Sequence, residues 1–93
     1  MAPLDVDLVA PDRTVWQGEA RMVTAPAAEG QLGILQGHSP VLAVLREGNV
    51  LIRTTTGEAF EAHVTGGFLS VDSDVVTIVA DAVEVGGPAA SAH

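Results

Sequence analysis

The sequence predicts an all-β domain, a β-sandwich of about ten short, mostly antiparallel strands in two sheets. Three observations point there. Apolar residues recur with a period of two, not 3.6. Turn residues punctuate these runs at roughly 8–12-residue intervals, the spacing of sandwiches and barrels. No stretch shows a helical period.

The elements come in order along the chain. Leu4, Val6 and Leu8 alternate with Asp5 and Asp7, which predicts a strand with one wet face. Pro11-Asp12 ends it. Thr14-Val15-Trp16 starts a second strand, Gly18 interrupts, and residues 20–25 continue as a third. Residues 26–30 read as a loop, 32–35 and 41–45 as short strands, and Glu47-Gly48-Asn49 as a turn. Residues 50–56 and 59–65 predict a hairpin around Gly57-Glu58, with Phe60, Ala62 and Val64 inward and Glu61 and His63 outward. Gly66-Gly67 permits a bulge or bend. Residues 68–71 and 75–81 pair as a last hairpin across Asp72-Ser73-Asp74. The predicted domain covers residues 1–85, with a disordered Gly/Pro/Ala-rich tail over 86–93.

Composition narrows the function. A single domain of 93 residues buries only about 60–65% of its unfolded surface, so its stability margin is modest. With no cysteine there is neither a disulfide nor a thiolate metal site. Twelve acidic residues face four arginines, and lysine is absent. Such a surface repels nucleic acid and anionic lipid and suits a basic partner. The first residues lack the basic and apolar regions of a signal peptide. No apolar run approaches the ~20 residues that span a bilayer. The chain therefore reads as soluble and cytoplasmic.

The most informative stretch is Glu29-Gly-Gln-Leu-Gly-Ile-Leu-Gln-Gly-His-Ser-Pro-Val-Leu42. Gly30, Gly33 and Gly37 allow positive φ, and Pro40 fixes φ at the start of the next apolar run. So elaborate a connection predicts a working loop. It is no phosphate loop, because it runs into neither Lys-Ser/Thr nor a helix. The sequence shows no positioned acid–nucleophile set around His38, so a turn histidine and a contact residue are both open. Glu61 and His63 share a strand face but lack a third metal ligand in view. Asp72-Ser73-Asp74 lacks the length and the Glu of a calcium loop and reads as a hairpin turn. Trp16, the sole tryptophan, reads as a packing residue. No Gly-x-Ser-x-Gly elbow or acid–base constellation is present, which argues for a binding or structural element instead of an enzyme.

The 29–42 stretch resembles the central loop and strand of the ε subunit of F-type ATP synthase. In that family the stretch reads glycine, acidic residue, Leu-Gly-Ile, two residues, Gly-His, small residue, proline. Gly66-Gly67-Phe68-Leu69-Ser70-Val71 and the run from Val75 to Asp81 are also similar to that family, in the same order. The resemblance spans Leu4 to Glu84. It implies the N-terminal β-sandwich of a non-catalytic rotor subunit without cofactor or metal. Such a subunit joins the γ subunit to the c-ring and reaches the α3β3 head only indirectly.

Carried over by position, the resemblance implies c-ring contacts at Glu29, Gln31, His38 and Ser39. It implies γ contacts at Leu42, Val44, Val79 and Asp81. The position of Gln31 is often acidic in the family, and Glu29 is a substitute source of charge. Family members commonly continue into a helical hairpin that, in some, binds ATP. Nine residues after Glu84 are too few for a stable helix, so neither ATP binding nor self-inhibition is expected. The implied location is the cytoplasmic face of the bacterial plasma membrane, reached only through the complex. The alternative function is a free-standing β-sandwich adaptor or ligand-binding module that uses the 29–42 loop.

Overall fold

The computed structural model describes residues 3–85, and all of their regular structure is extended. The strands are β1 (Leu4–Ala10), β2 (Arg13–Ala27), β3 (Gly30–Leu35), β4 (Val41–Leu45), β5 (Gly48–Thr54), β6 (Ala59–Val64), β7 (Gly67–Asp72), β8 (Val75–Ala80) and β9 (Val83–Val85). Hydrogen bonding runs in the order β1-β8-β7-β4-β2-β5-β6-β9, with β3 on β2 and a further β1–β2 pairing. Every pairing is antiparallel except β1–β8.

A sheet with no helix among its described residues can bury a face only by folding onto itself. The core shows that it does. Leu4, Val6 and Leu8 of β1, Leu69 and Val71 of β7, and Val76 and Ile78 of β8 pack in one cluster with Val23 of β2, Val50 and Ile52 of β5, and Val64 of β6. One layer is β4-β7-β8-β1 with the first half of β2. The other is β3, the second half of β2, β5, β6 and β9. Among the described residues no polar or charged side chain is buried.

Strand β2 joins the layers. Fifteen residues at about 3.3 Å each would extend about 50 Å, more than the longest dimension of 36 Å. The strand must therefore turn. Its first half pairs with β1 as far as Ala20 opposite Leu4. From Ala20 onward it pairs with β5, and from Met22 with β3. The β2–β5 register slips between Ala20 and Met22. Arg21 is thus the extra residue of a bulge placed where the strand changes layers, which is how strands turn corners.

Several sequence expectations change here. The predicted break at Gly18 is absent, because Gly18 stays paired with Val6. Gly18 serves packing instead: a Cβ there would lie 3.0 Å from the Trp16 ring. The two predicted strands over 14–25 are one strand that reaches Ala27, and the loop shrinks to Ala28-Glu29. The predicted turn at 47–49 shortens, since Gly48 and Asn49 already pair with Val64 and His63. Strand β9, which was not predicted, pairs with β6. Among the described residues nine strands form one continuous ladder whose two layers make the expected sandwich, where about ten strands in two sheets were predicted. The predicted tail over 86–93 lies outside the described residues.

Trp16 packs as expected. Its ring stacks on Phe60 of β6 with centroids 5.8 Å apart and 28° between planes. Both side chains lie partly buried against the core cluster. Trp16 stands on the β1-paired half of β2 and Phe60 in the opposite layer, so the pair closes the seam between them. Trp16→Ala is expected to lower unfolding stability by about 2–3 kcal/mol, below the cost for a fully buried tryptophan. Urea denaturation followed by far-UV circular dichroism measures it.

Candidate functional site

The 29–42 stretch forms a strand flanked by two turns. Ala28-Glu29 joins β2 to β3, and residues 36–40 join β3 to β4. Strands β3 and β4 belong to different layers and do not pair with each other. Ala28 donates its N–H to the Val44 carbonyl at 2.9 Å, and Arg46 to that of Pro26 at 2.9 Å, which ties the layers at one end. The gap between the two strands is an open groove lined by Glu29, Gln31, Leu32, Leu42 and Val44 among others.

The second turn is closely held. His38 N–H donates to the Leu35 carbonyl at 3.1 Å, closing a four-residue turn. Gly37 takes φ 77° at its third position, a conformation that favours glycine. The Gly37 N–H donates to Oδ1 of Asp74 at 2.8 Å. The His38 ring Nδ1 lies 2.7 Å from the Ser39 carbonyl oxygen. His38 is half-buried and Ser39 exposed. Of the three glycines, Gly30 (φ 136°) and Gly37 use positive φ. Gly33 does not; it is an ordinary strand residue opposite Thr24.

The outer face of the β4-β7-β8-β1 layer carries an apolar row that includes the predicted Val44 and Val79. Val44 pairs with Phe68, Phe68 with Val79, and Val79 with Val9. These four stand in one row across four strands, on the face away from the core. Phe68 is 48% exposed, Val44 66% and neighbouring Leu42 73%. The inner face of this layer is already apolar, with Leu69, Ile78 and Leu8 fully buried in the next row. The outer face turns polar in its next row, where Leu42 is followed by Ser70, Thr77 and Asp7, so the apolar row is a bounded stripe on that face.

The predicted contact residues sort unevenly. Glu29 and Gln31 sit at one end of β3 and His38 and Ser39 at the other, with about 17 Å of extended strand between. They do not form one cluster. Glu29 and Gln31 instead share the groove with Leu42 and Val44. Val79 stands in the apolar row. Asp81 lies one position beyond β8, where its N–H donates to the Gly66 carbonyl at 3.0 Å. Phe68 and Val9 belong to the row, yet sequence reasoning missed them. The signal was the alternation in Phe68-Leu69-Ser70-Val71, which allows Phe68 to face outward if Leu69 and Val71 face in.

The remaining polar constellation is on the other layer. His63 Nε2 lies 3.1 Å from Oε2 of Glu47, and Nδ1 lies 3.0 Å from Oδ1 of Asn49. Asn49 in turn donates to Glu61 at 3.1 Å. Glu61 and His63 therefore share a strand face and are bridged by the Asn49 amide, with Glu47 on the other side of the imidazole. Among the described residues no three His, Cys, Asp or Glu side chains are grouped to hold a metal ion.

An apolar outer row and preformed edge turns give this sandwich the surface of a protein-interaction domain. The comparisons show its family. Residues 3–86 match the family model of the ATP synthase delta/epsilon chain β-sandwich domain, and the chain belongs to that family. It is 46% identical over 91 residues to the ATP synthase epsilon chain of Micrococcus luteus, covering 98% of this chain and 100% of that one. It is 46% identical over 86 residues to the epsilon chain of Rhodococcus opacus, covering 91% of this chain and 70% of that one. Among solved structures, a chain of the Euglena gracilis mitochondrial ATP synthase superposes with a TM-score of 0.86 at 24% identity. The match covers 91% of this chain but spans only 54% of that one. A chain from the Tetrahymena thermophila mitochondrial ATP synthase gives 0.75 at 23% identity, over 88% and 66%. At these identities the superpositions establish the fold, which is the predicted β-sandwich. The chain is thus of the epsilon type, a non-catalytic component of ATP synthase.

Proposed function

We propose that this chain is the central-stalk subunit that joins γ to the c-ring and couples proton flow to ATP synthesis. The observation that carries the reading is the apolar row Val44–Phe68–Val79, with Leu42 beside it. Exposed apolar groups clustered in a row on a small domain mark a protein interface. The γ subunit covers this row, with Asp81 at its rim. Glu29 and Gln31 at the β2–β3 turn, and His38 and Ser39 at the other end of β3, contact the c-ring loops. An acidic chain, net −8, is steered toward basic loops. The relatives' names support the reading, as do the matching structures, which are described as an OSCP/F1/c-ring assembly and a central stalk with c-ring. The stiffness of a doubly tied sandwich suits a part that transmits torque. Its place is the cytoplasmic face of the bacterial plasma membrane, held there only through the complex.

The test is co-expression with the γ subunit of the same organism and then size-exclusion chromatography with light scattering. A 1:1 complex that weakens on Leu42→Asp is the expected result. Separate elution of a folded γ and a folded wild-type chain would overturn the reading in favour of a free-standing adaptor.

A further inference from the structure

We infer that Asp74 is a positioning residue for the Gly37–His38 turn, strapping it to the layer that carries the apolar row. The consequence for coupling rests on the rotor reading; the strap itself does not. Four observations lead to it. First, the Asp74 carboxylate accepts the Gly37 N–H at 2.8 Å across 37 positions of sequence. A hydrogen bond to an ionised acceptor is among the stronger kinds. Second, the Asp74 backbone carbonyl accepts the Asp5 N–H at 2.8 Å, so one residue joins the start of β1, the β7–β8 hairpin and the turn after β3.

Third, Ser73 and Asp74 both have positive φ, 50° and 64°. They form the two-residue hairpin loop whose backbone twist favours glycine or asparagine. Glycine at 74 would relieve the strain, but it would carry no carboxylate. Fourth, the bond adds a second tie where the chain passes between layers. The turn leaves β3 in one layer and enters β4 in the other, where Val41 pairs with Val71 of β7. The Asp74 bond fastens Gly37 to the tip of the same β7–β8 hairpin. His38 and Ser39 are thus held between two attachments to the hairpin that carries Phe68 and Val79. A turn held in its bound geometry loses less freedom when a partner engages it.

The test compares Asp74→Gly with Asp74→Asn in the full chain. Asp74→Gly removes the carboxylate while easing the backbone, so the hairpin is expected to persist and the melting temperature to hold within a few degrees. The Gly37 amide should then exchange with solvent at least about tenfold faster, by NMR-detected hydrogen exchange. Asp74→Asn retains an acceptor oxygen and should keep most of the protection. Unchanged Gly37 exchange in Asp74→Gly would overturn the strap. In the assembled synthase, Asp74→Gly is expected to lower the protons pumped per ATP hydrolysed while γ binding stays intact. Faster exchange with an unchanged ratio would overturn the positioning role. If the wild-type chain failed to bind γ, the rotor reading would fall, and the exchange measurement would still decide the strap.

Discussion

Gly67→Ala is expected to unfold most of the chain at physiological temperature. A Cβ at Gly67 would lie 1.9 Å from the Val79 carbonyl oxygen and 2.9 Å from Ala80 Cα. Both are backbone atoms of the neighbouring strand, so no side-chain rotation relieves the overlap. Relief requires β7 and β8 to part at the Gly67–Ala80 pair. That pair begins the ladder that places Leu69 and Val71 opposite Ile78 and Val76 in the core. Gly67 also has φ 134°, where any L side chain is strained by about 1–3 kcal/mol before the clash is counted. Together these predict a loss on the order of 4 kcal/mol or more, in the range reserved for mutations with a named structural cause. For a domain of this size that is a fall of more than about 15 °C in melting temperature. Gly57→Ala supplies the control. Gly57 has φ 98° but nothing within 4 Å of its added Cβ. It should show the strain alone, about 1–2 kcal/mol. Thermal denaturation of the two variants beside wild type makes the comparison, and equal losses would show that the close approach at Gly67 does not matter.

The same hairpin shows what the sequence could and could not convey. Alternation identified the strands and their wet faces wherever polar and apolar residues were distinct, as in Leu4-Asp5-Val6-Asp7-Leu8. It could not orient Phe68-Leu69-Ser70-Val71, because the largest apolar residue stood on the face opposite Leu69 and Val71. The packing of Leu69 and Val71 against Ile78 and Val76 in the core sets that orientation, and it is a tertiary fact. Strand β2 was divided at Gly18 because glycine weakens an isolated strand. Its pairing with Val6 on β1 and its place beneath the Trp16 ring keep it extended. The true corner, at Arg21, carries no special residue. It arises because β2 exchanges β1 for β5 there. Strand β9 has three residues and is a strand only through its pairing with β6.

The candidate site was legible to a similar depth. The 29–42 segment could be chosen from its glycines, its histidine and its resemblance to the ε family. The spread of its predicted contact residues over both ends of β3 could not. The distance between Glu29 and His38 comes from β3 being fully extended, and the nearness of Glu29 to Val44 comes from how β4 returns past it. The contact between Gly37 and Asp74 joins two loops that nothing local connects.

Phe68→Asp is expected to abolish stable γ binding while leaving the domain folded. Phe68 sits at the centre of the row, flanked by Val44 on one side and Val79 on the other. Central aromatic residues are where interfaces concentrate their energy, with losses of about 2–4 kcal/mol on truncation, or roughly 30–1000-fold in affinity. A carboxylate at that position adds the cost of burying an unpaired charge against an apolar partner. In the free chain the position is half exposed, so the substituted carboxylate keeps its water and the core beneath is untouched. The change in unfolding stability should stay within about 1 kcal/mol. Val44→Asp should behave alike with a smaller loss, since its side chain is smaller and nearer the edge. Glu58→Ala, in the exposed β5–β6 loop of the other layer, should leave binding unchanged. The affinities are read by titration calorimetry with purified γ, and folding by circular dichroism of the same samples. Wild-type affinity in Phe68→Asp would place the γ interface elsewhere and leave the apolar row without a partner. Loss of binding in Glu58→Ala as well would show that the assay reports general instability instead of contact at the row. The expected order, Phe68 then Val44 with Glu58 silent, is dictated by the geometry of one sheet face.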